Sequence, residues 1–229
     1  MDFGTPQFWL AALEIIVINI LLSGDNAVVI ALACRNLPPQ QRRWGVIWGA
    51  VGAIVLRIIL TYFAVTLLQL PYLKIIGGVL LLWIGVKLIA EEEGEQEGKT
   101  VKASEKLIAA VRTVIIADLV MSIDNVLGVA AAAKGSVLLL VFGLVVSIPL
   151  VIAGSQIIMN LIGRFPVLIL AGGGLLGFVA GEMFVEDVAI EAWVKANAHA
   201  LRWVIPAAGV VLVIGVAKWL DRRRANGSQ

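Results

Sequence analysis

The chain has 229 residues, of which 60% are hydrophobic and 15% are charged, whereas soluble domains are about 45–50% apolar and about 25% charged. The formal net charge of +2 gives no indication of nucleic acid as a partner. The single cysteine, Cys34, excludes an intrachain disulfide and a cysteine-based metal cluster. These properties predict a polytopic membrane protein whose residues 1–229 form a single membrane domain.

Long apolar segments predict an all-α fold with seven transmembrane helices, because most of them reach the roughly 20 residues that cross a bilayer. The predicted spans are residues 7–33, 43–68, 71–90, 107–133, 136–158, 165–185 and 201–220. Glycines at four-residue spacing favour close helix packing. They are Gly45 and Gly49 in the second span, and Gly173, Gly177 and Gly181 in the sixth.

The hydrophilic segments and the basic residues predict how the chain is oriented. Thirteen lysines and arginines fall on one predicted side, and only Lys74, Lys134, Lys195 and Arg202 fall on the other. The positive-inside rule therefore predicts an external N-terminus and a cytoplasmic C-terminus. The acid-rich residues 91–106 predict a cytoplasmic linker, and residues 186–200 predict an external helix on the membrane surface.

Two short polar motifs repeat each other within apolar segments. They are Ser23-Gly24-Asp25-Asn26 and Ser122-Ile123-Asp124-Asn125. Pro71 and Pro166 each open a third span, and paired glycines follow six residues after each. The pattern predicts an inverted 3+3 repeat, because three spans per half reverse the orientation of the second half. The repeats are residues 7–90 and 107–185, and residues 201–220 form an extra helix outside them.

Four acids lie within the predicted spans: Glu14, Asp25, Asp118 and Asp124. An ionisable residue at membrane depth costs about 2.5–3.5 kcal/mol on insertion scales, which favours a functional role. Glu14 and Asp25 would share one face of an unbroken helix. Asp118 shares a face with Ser122 and Asn125, and Asp124 would join them if the helix unwound near Ser122. Gly24 favours a similar break in the first span.

The ligand atoms that these motifs offer are all oxygens, from carboxylates, amides and hydroxyls. Such sites suit Mg²⁺, Ca²⁺ and Mn²⁺ better than copper or zinc. The four acids and Arg57 leave a formal charge of −3, which a divalent cation and one proton would cancel, so metal and proton are expected to compete. Arg57 is either the structural partner of one aspartate or a moving counter-charge that fills the empty site.

The two motifs resemble the signatures of the TerC family, and most closely those of its YjbE-type members within the LysE-like transporter group. The resemblance implies a multi-pass protein of the bacterial inner membrane that transports divalent metal, chiefly by manganese efflux, and the family name refers to tellurium resistance. It carries over metal-pathway roles to Asp25, Asn26, Asp118, Asp124 and Asn125. The family commonly has an acid six residues before the motif aspartate, where this chain has Asn19 in the first repeat and Asp118 in the second.

The sequence thus predicts a divalent cation exporter that works by alternating access, with Mn²⁺ as the transported substrate, and not an enzyme. Glu14, Asn19, Ser23, Ser122 and Arg57 are the candidate pathway or coupling residues. The expected partners are the metal ion, the lipid bilayer and a second copy of the chain. The alternatives are export of an amino acid or other small metabolite, an intramembrane aspartyl protease, and a membrane protein that supplies metal to secreted enzymes.

Overall fold

A computed structural model describes residues 6–21, 24–67, 69–90, 103–133 and 136–227. Within these residues the regular structure is helical, which confirms the all-α class over this part of the chain. The described residues form nine helices: α1 (Pro6–Leu21), α2 (Gly24–Cys34), α3 (Pro39–Leu67), α4 (Leu73–Ala90), α5 (Ala103–Ala133), α6 (Val137–Arg164), α7 (Val167–Val185), α8 (Glu191–Asn197) and α9 (Leu201–Gly227).

Five helices of the described chain are long and apolar enough to cross a membrane. They comprise Pro39–Phe63, Leu73–Ala90, Val137–Arg164, Val167–Val185 and Leu201–Arg223. The first predicted span is divided between two shorter apolar helices, and the fourth lies on α5, outside this group of five. The polytopic membrane character is thereby confirmed, whereas the count of seven spans and the inverted repeat stay predictions.

One detail of the predicted helices is wrong and another stays a prediction. Glu14 lies on α1 and Asp25 on α2, and residues 22–23 between them lie outside the described residues, so the shared face of these two acids stays a prediction. The expected unwinding near Ser122 is absent, because α5 continues through residues 122–124 as α-helix. The physical reason is local sequence: α5 contains neither proline nor glycine before Gly128, whereas α2 begins at Gly24.

The two hydrophilic segments have different outcomes. Most of the predicted cytoplasmic linker, residues 91–102, lies outside the described residues. The predicted surface helix is shorter than expected, since α8 has only 7 residues. Trp193 is exposed on α8 and Val194 is buried. The position of α8 relative to a membrane stays a prediction.

The chain divides into two compact units. The first comprises residues 1–69 and 106–160. Its core joins four helices through side chains such as Ile15 of α1, Ile54 of α3, Val129 of α5 and Leu144 of α6. The second unit comprises residues 70–105 and 161–229, and it is built on the mutual packing of α4, α7 and α9.

Glycines allow direct backbone contact between α7 and α9 in the second unit. A Cβ atom at Gly177 would collide with the carbonyl group of Gly209, and one at Gly181 would collide with the backbone of Pro206. Gly173 packs against the side chain of Ile89 on α4, so a Cβ atom there would collide with that side chain. The close packing predicted for this glycine series is therefore confirmed.

We expect Gly177→Ala to lower the free energy of unfolding by about 1–3 kcal/mol, because the added methyl group must separate two rigid helix backbones. Thermal unfolding in detergent measures the effect. Gly215→Ala is the matched control: Gly215 lies on α9 with open space around it, so alanine should be neutral or slightly stabilising there. Equal stabilities of the two variants would contradict the packing described.

Asp187 links the end of α7 to the start of α4, although more than one hundred residues separate them. Its carboxylate is fully buried and accepts four backbone N–H groups. The donors are Tyr72 at 2.9 Å, Lys74 at 3.1 Å, Ile75 at 3.3 Å and Ala189 at 2.9 Å. The carboxylate therefore satisfies N–H groups that the first turn of a helix leaves unpaired. It also holds Tyr72, whose φ of 67° is uncommon for a residue other than glycine.

The pKa of Asp187 lies below its usual value. Burial alone would raise this pKa, but the four N–H donors together outweigh burial by stabilising the ionised form. The ionised carboxylate therefore contributes stability above the unfolded-state pKa of about 4. That contribution is lost as the pH falls through the lower folded-state pKa.

We expect Asp187→Asn to reduce the free energy of unfolding by about 1–3 kcal/mol at neutral pH, since a charged acceptor becomes neutral. The difference from the parent protein should begin to shrink below about pH 4, where the carboxyl group of the unfolded chain takes up a proton, and should be lost below the lower folded-state pKa. Unfolding measured across pH tests this, with Glu105→Gln, at an exposed acid near the start of α5, as a control. A difference that stays constant down to the lowest pH would contradict the assignment.

Candidate metal site

The helices α3 and α5 approach each other closely in the first unit because α3 carries small residues on the facing side. A Cβ atom on Gly49 would lie 3.0 Å from Cγ1 of Val114, and one on Gly52 would lie 2.6 Å from Cδ1 of Ile115. The predicted packing role of Gly45 and Gly49 is confirmed, since Gly45 also meets Leu107 of α5. About one and a half turns beyond Gly52, this approach places Arg57 of α3 opposite α5.

Arg57, Asp118 and Ser122 form a closed ring of hydrogen bonds, which we call the polar triad. Arg57 Nη2 donates to Asp118 Oδ1 at 2.8 Å, and Arg57 Nε donates to Ser122 Oγ at 3.1 Å. Ser122 Oγ donates to Asp118 Oδ2 at 3.2 Å. All three residues are buried, with exposed fractions of 2%, 4% and 0%. The triad confirms the predicted shared face of Asp118 and Ser122, and it shows that Arg57 pairs with an aspartate.

Asn26 of α2 presents an amide oxygen that has no hydrogen-bond donor among the described residues. The residue is buried, and it lines two small cavities of about 10 and 20 Å³. Asp118 lines both cavities, and Arg57 lines the larger one. A cavity of this size holds about one water molecule. A carbonyl oxygen and a carboxylate therefore line a space for one small guest.

Asp25 lies beside this region at the start of α2. It is half-buried, and its Oδ1 accepts the N–H of Asn26 at 2.9 Å. An acidic side chain is favoured in the first turn of a helix, because the unpaired N–H groups there carry partial positive charge. Asp25 is also close enough to interact electrostatically with Arg57 and Asp118.

The structure brings together only part of the predicted residue set. Asn26, Arg57, Asp118 and Ser122 meet in the first unit, and Asp25 lies close by. Glu14 is exposed on α1 and Asn125 is half-buried on α5. Ser23 and the side chains of Asn19 and Asp124 lie outside what the structure describes. Among the described residues no three His, Cys, Asp or Glu side chains form a cluster. The polar atoms that meet here belong to amide, carboxylate, hydroxyl and guanidinium groups.

The sequence interpretation missed the small residues that leave the cavity open. Ala50 and Ala53 line the larger cavity beside Arg57. Their spacing from Arg57 follows i, i+3, i+7 and places them on its face of α3. This spacing could have revealed the cavity from the sequence. Two alanines on the same helix face as an arginine leave space that larger side chains would fill.

The fold and this buried polar site define a polytopic integral membrane protein with room for a small guest in its interior. A family model described as "Integral membrane protein TerC family" matches residues 4–225. The chain therefore belongs to the TerC family, as the two motifs predicted.

Individual relatives give the same result. The chain is 42% identical over 208 residues to the membrane protein YjbE of Bacillus subtilis (strain 168), covering 91% of this chain and 94% of the relative. It is 28% identical over 185 residues to the membrane protein YceF of the same organism, covering 78% and 72%. It is 26% identical over 177 residues to the UPF0053 inner membrane protein YgdQ of Escherichia coli (strain K12), covering 70% and 74%. No solved structure matches the chain.

A double-mutant cycle tests the polar triad. We expect Arg57→Gln and Asp118→Asn each to cost about 3–5 kcal/mol of stability, because each leaves an uncompensated buried charge. The double variant should cost clearly less than the sum, since both charges are then removed together. Unfolding in detergent gives the three values, and Glu14→Gln, at an exposed acid, should change stability by less than about 0.5 kcal/mol. Additive losses would contradict the pairing.

Proposed function

We propose that this protein transports divalent metal cations, with Mn²⁺ as the main substrate, and exports them across the bacterial inner membrane. The observation that supports this most directly is Oδ1 of Asn26, which has no hydrogen-bond donor among the described residues and borders a cavity that Asp118 also lines. A buried acceptor without a donor costs about 1–3 kcal/mol, and a bound cation would satisfy it. Amide and carboxylate oxygens together suit hard divalent cations such as Mn²⁺ and Mg²⁺.

The size and charge of the site favour an ion over the alternative substrates. Cavities of about 10 and 20 Å³ fit one atom-sized guest, not an amino acid. An amino acid would also need a cation for its carboxylate, and Arg57 is bound to Asp118. An aspartyl protease needs two carboxylates that share a proton, whereas the partner of Asp118 is a guanidinium group. We therefore propose transport and not catalysis.

Export of a dication requires an energy source. A membrane potential that is negative inside opposes efflux by about 2.3 kcal/mol per elementary charge at 100 mV, and a dication carries two charges. Inward protons are the simplest source in the proposed mechanism, because the carboxylates that bind metal also bind protons. The proposed cycle is alternating access, with the N-terminus outside and the C-terminus in the cytoplasm, where basic residues predominate.

Purified protein in vesicles tests the proposal. We expect Asn26→Leu to lower the initial rate of Mn²⁺ transport by at least about tenfold, since the loss of even an outer-sphere partner costs a metal site that much. Stability should stay equal or rise, because leucine has the same branched shape, can fill the adjoining cavity and leaves no unpaired acceptor. The rate is followed with a manganese-sensitive dye inside the vesicles.

The matched control is Asn160→Leu, an exposed asparagine in the first unit, which should transport at the rate of the parent protein. A folded Asn26→Leu variant with an unchanged rate of Mn²⁺ transport would show that Asn26 does not take part in the pathway. Parent protein that moves none of Mn²⁺, Mg²⁺, Ca²⁺, Co²⁺ or Zn²⁺ would overturn the proposed function itself.

A further inference from the structure

We propose that Arg57 is an internal cation that competes with the transported metal for Asp118. Its guanidinium group occupies Asp118 and Ser122 when no metal is bound, and it leaves Asp118 when the metal arrives. The inference rests on the proposed transport function and assigns Arg57 the return of the empty transporter.

The hydrogen bonds of the polar triad occupy the oxygen atoms of Asp118 that a metal would bind. Both carboxylate oxygens of Asp118 are engaged, one by Arg57 and the other by Ser122. Ser122 Oγ in turn accepts from Arg57, so this hydroxyl is also engaged. A metal that binds Asp118 must therefore break the ion pair between Asp118 and Arg57. The state with Arg57 on Asp118 and a state with metal on Asp118 exclude each other.

The charges of the site also favour competition between Arg57 and the metal. A guanidinium group does not lose its proton in proteins, so Arg57 brings a permanent positive charge into the buried site. The two negative charges of Asp25 and Asp118 together cancel the two positive charges of one dication. If Arg57 stayed paired, metal binding would leave one positive charge in excess, in surroundings where unbalanced charge is costly. The metal is balanced by the two carboxylates only when Arg57 withdraws from the buried site as well as from Asp118, so the proposed cycle requires that the long side chain of Arg57 move away from the metal.

The same reasoning predicts which part of a transport cycle needs Arg57. After the metal leaves, Asp118 would remain as a buried, unpaired carboxylate, and Arg57 neutralises it while the empty protein returns. In this cycle the inward proton of the proposed coupling travels on Asp25, the second carboxylate of the site. Net efflux requires this return on every cycle. Exchange of metal on one side for metal on the other requires only loaded states, so it can proceed without Arg57.

Arg57→Gln in vesicles separates the two activities. We expect net Mn²⁺ efflux to fall at least about tenfold, while exchange of radioactive Mn²⁺ against unlabelled Mn²⁺ stays within about threefold of the parent rate. The affinity of the purified variant for Mn²⁺ should rise by about tenfold, because the competing cation is gone. The control is Arg112→Gln, an exposed arginine on α5, which should keep both activities and the parent affinity.

Each result decides the matter. An unchanged ratio of efflux to exchange in Arg57→Gln, whether both activities fall together or neither falls, would overturn the role of Arg57. The metal transport proposed for the parent protein would still stand. Parent protein without efflux or exchange would instead defeat the proposed function. Should Arg57→Gln fail to fold, Arg57→Lys decides: lysine keeps the charge but not the double contact. Retained net efflux in Arg57→Lys supports the counter-charge, and loss of both activities in folded Arg57→Lys overturns it.

Discussion

The cost of charge in an apolar interior is the constraint on which the first unit depends. Arg57 and Asp118 lie on different helices, and almost no solvent reaches either side chain. Each therefore needs the other, with Ser122 completing the ring, and this requirement fixes how α3 and α5 face each other. The glycines of α3 permit the necessary approach. Small residues and charged residues on α3 are thus two parts of one arrangement.

The polar triad and the side chain of Asn26 differ in how fully their hydrogen-bonding groups are satisfied within the first unit. The polar triad forms a closed set of hydrogen bonds, which a low-dielectric interior strengthens. The amide oxygen of Asn26 borders a cavity shared with Asp118 but has no donor among the described residues. A protein shaped only for stability would have filled this cavity with an apolar side chain. The contrast distinguishes a group that holds helices together from one that remains available to a ligand.

The sequence predicted the features that depend on residues close to one another along the chain. Hydrophobic segments indicated most of the helices, and the four-residue spacing of Asp118 and Ser122 placed them on one face. The pairing of Arg57 with an aspartate was one of the two roles predicted for an arginine in the middle of a span, and the structure shows that pair. The role of Asp187 could not be predicted, because its partners Tyr72, Lys74 and Ile75 are distant in sequence and offer only backbone N–H groups.

The backbone contact between Gly177 and Gly209 also limits how the second unit deforms. Two helices that meet through side chains can slide by exchanging rotamers, which is the basis of shear motions. Where backbone meets backbone, no rotamer can adjust, and any displacement along the axis brings the next Cβ atom against a carbonyl group. Conformational change that involves α7 and α9 must therefore carry both helices together as a lever, with bending confined to the connections at their ends.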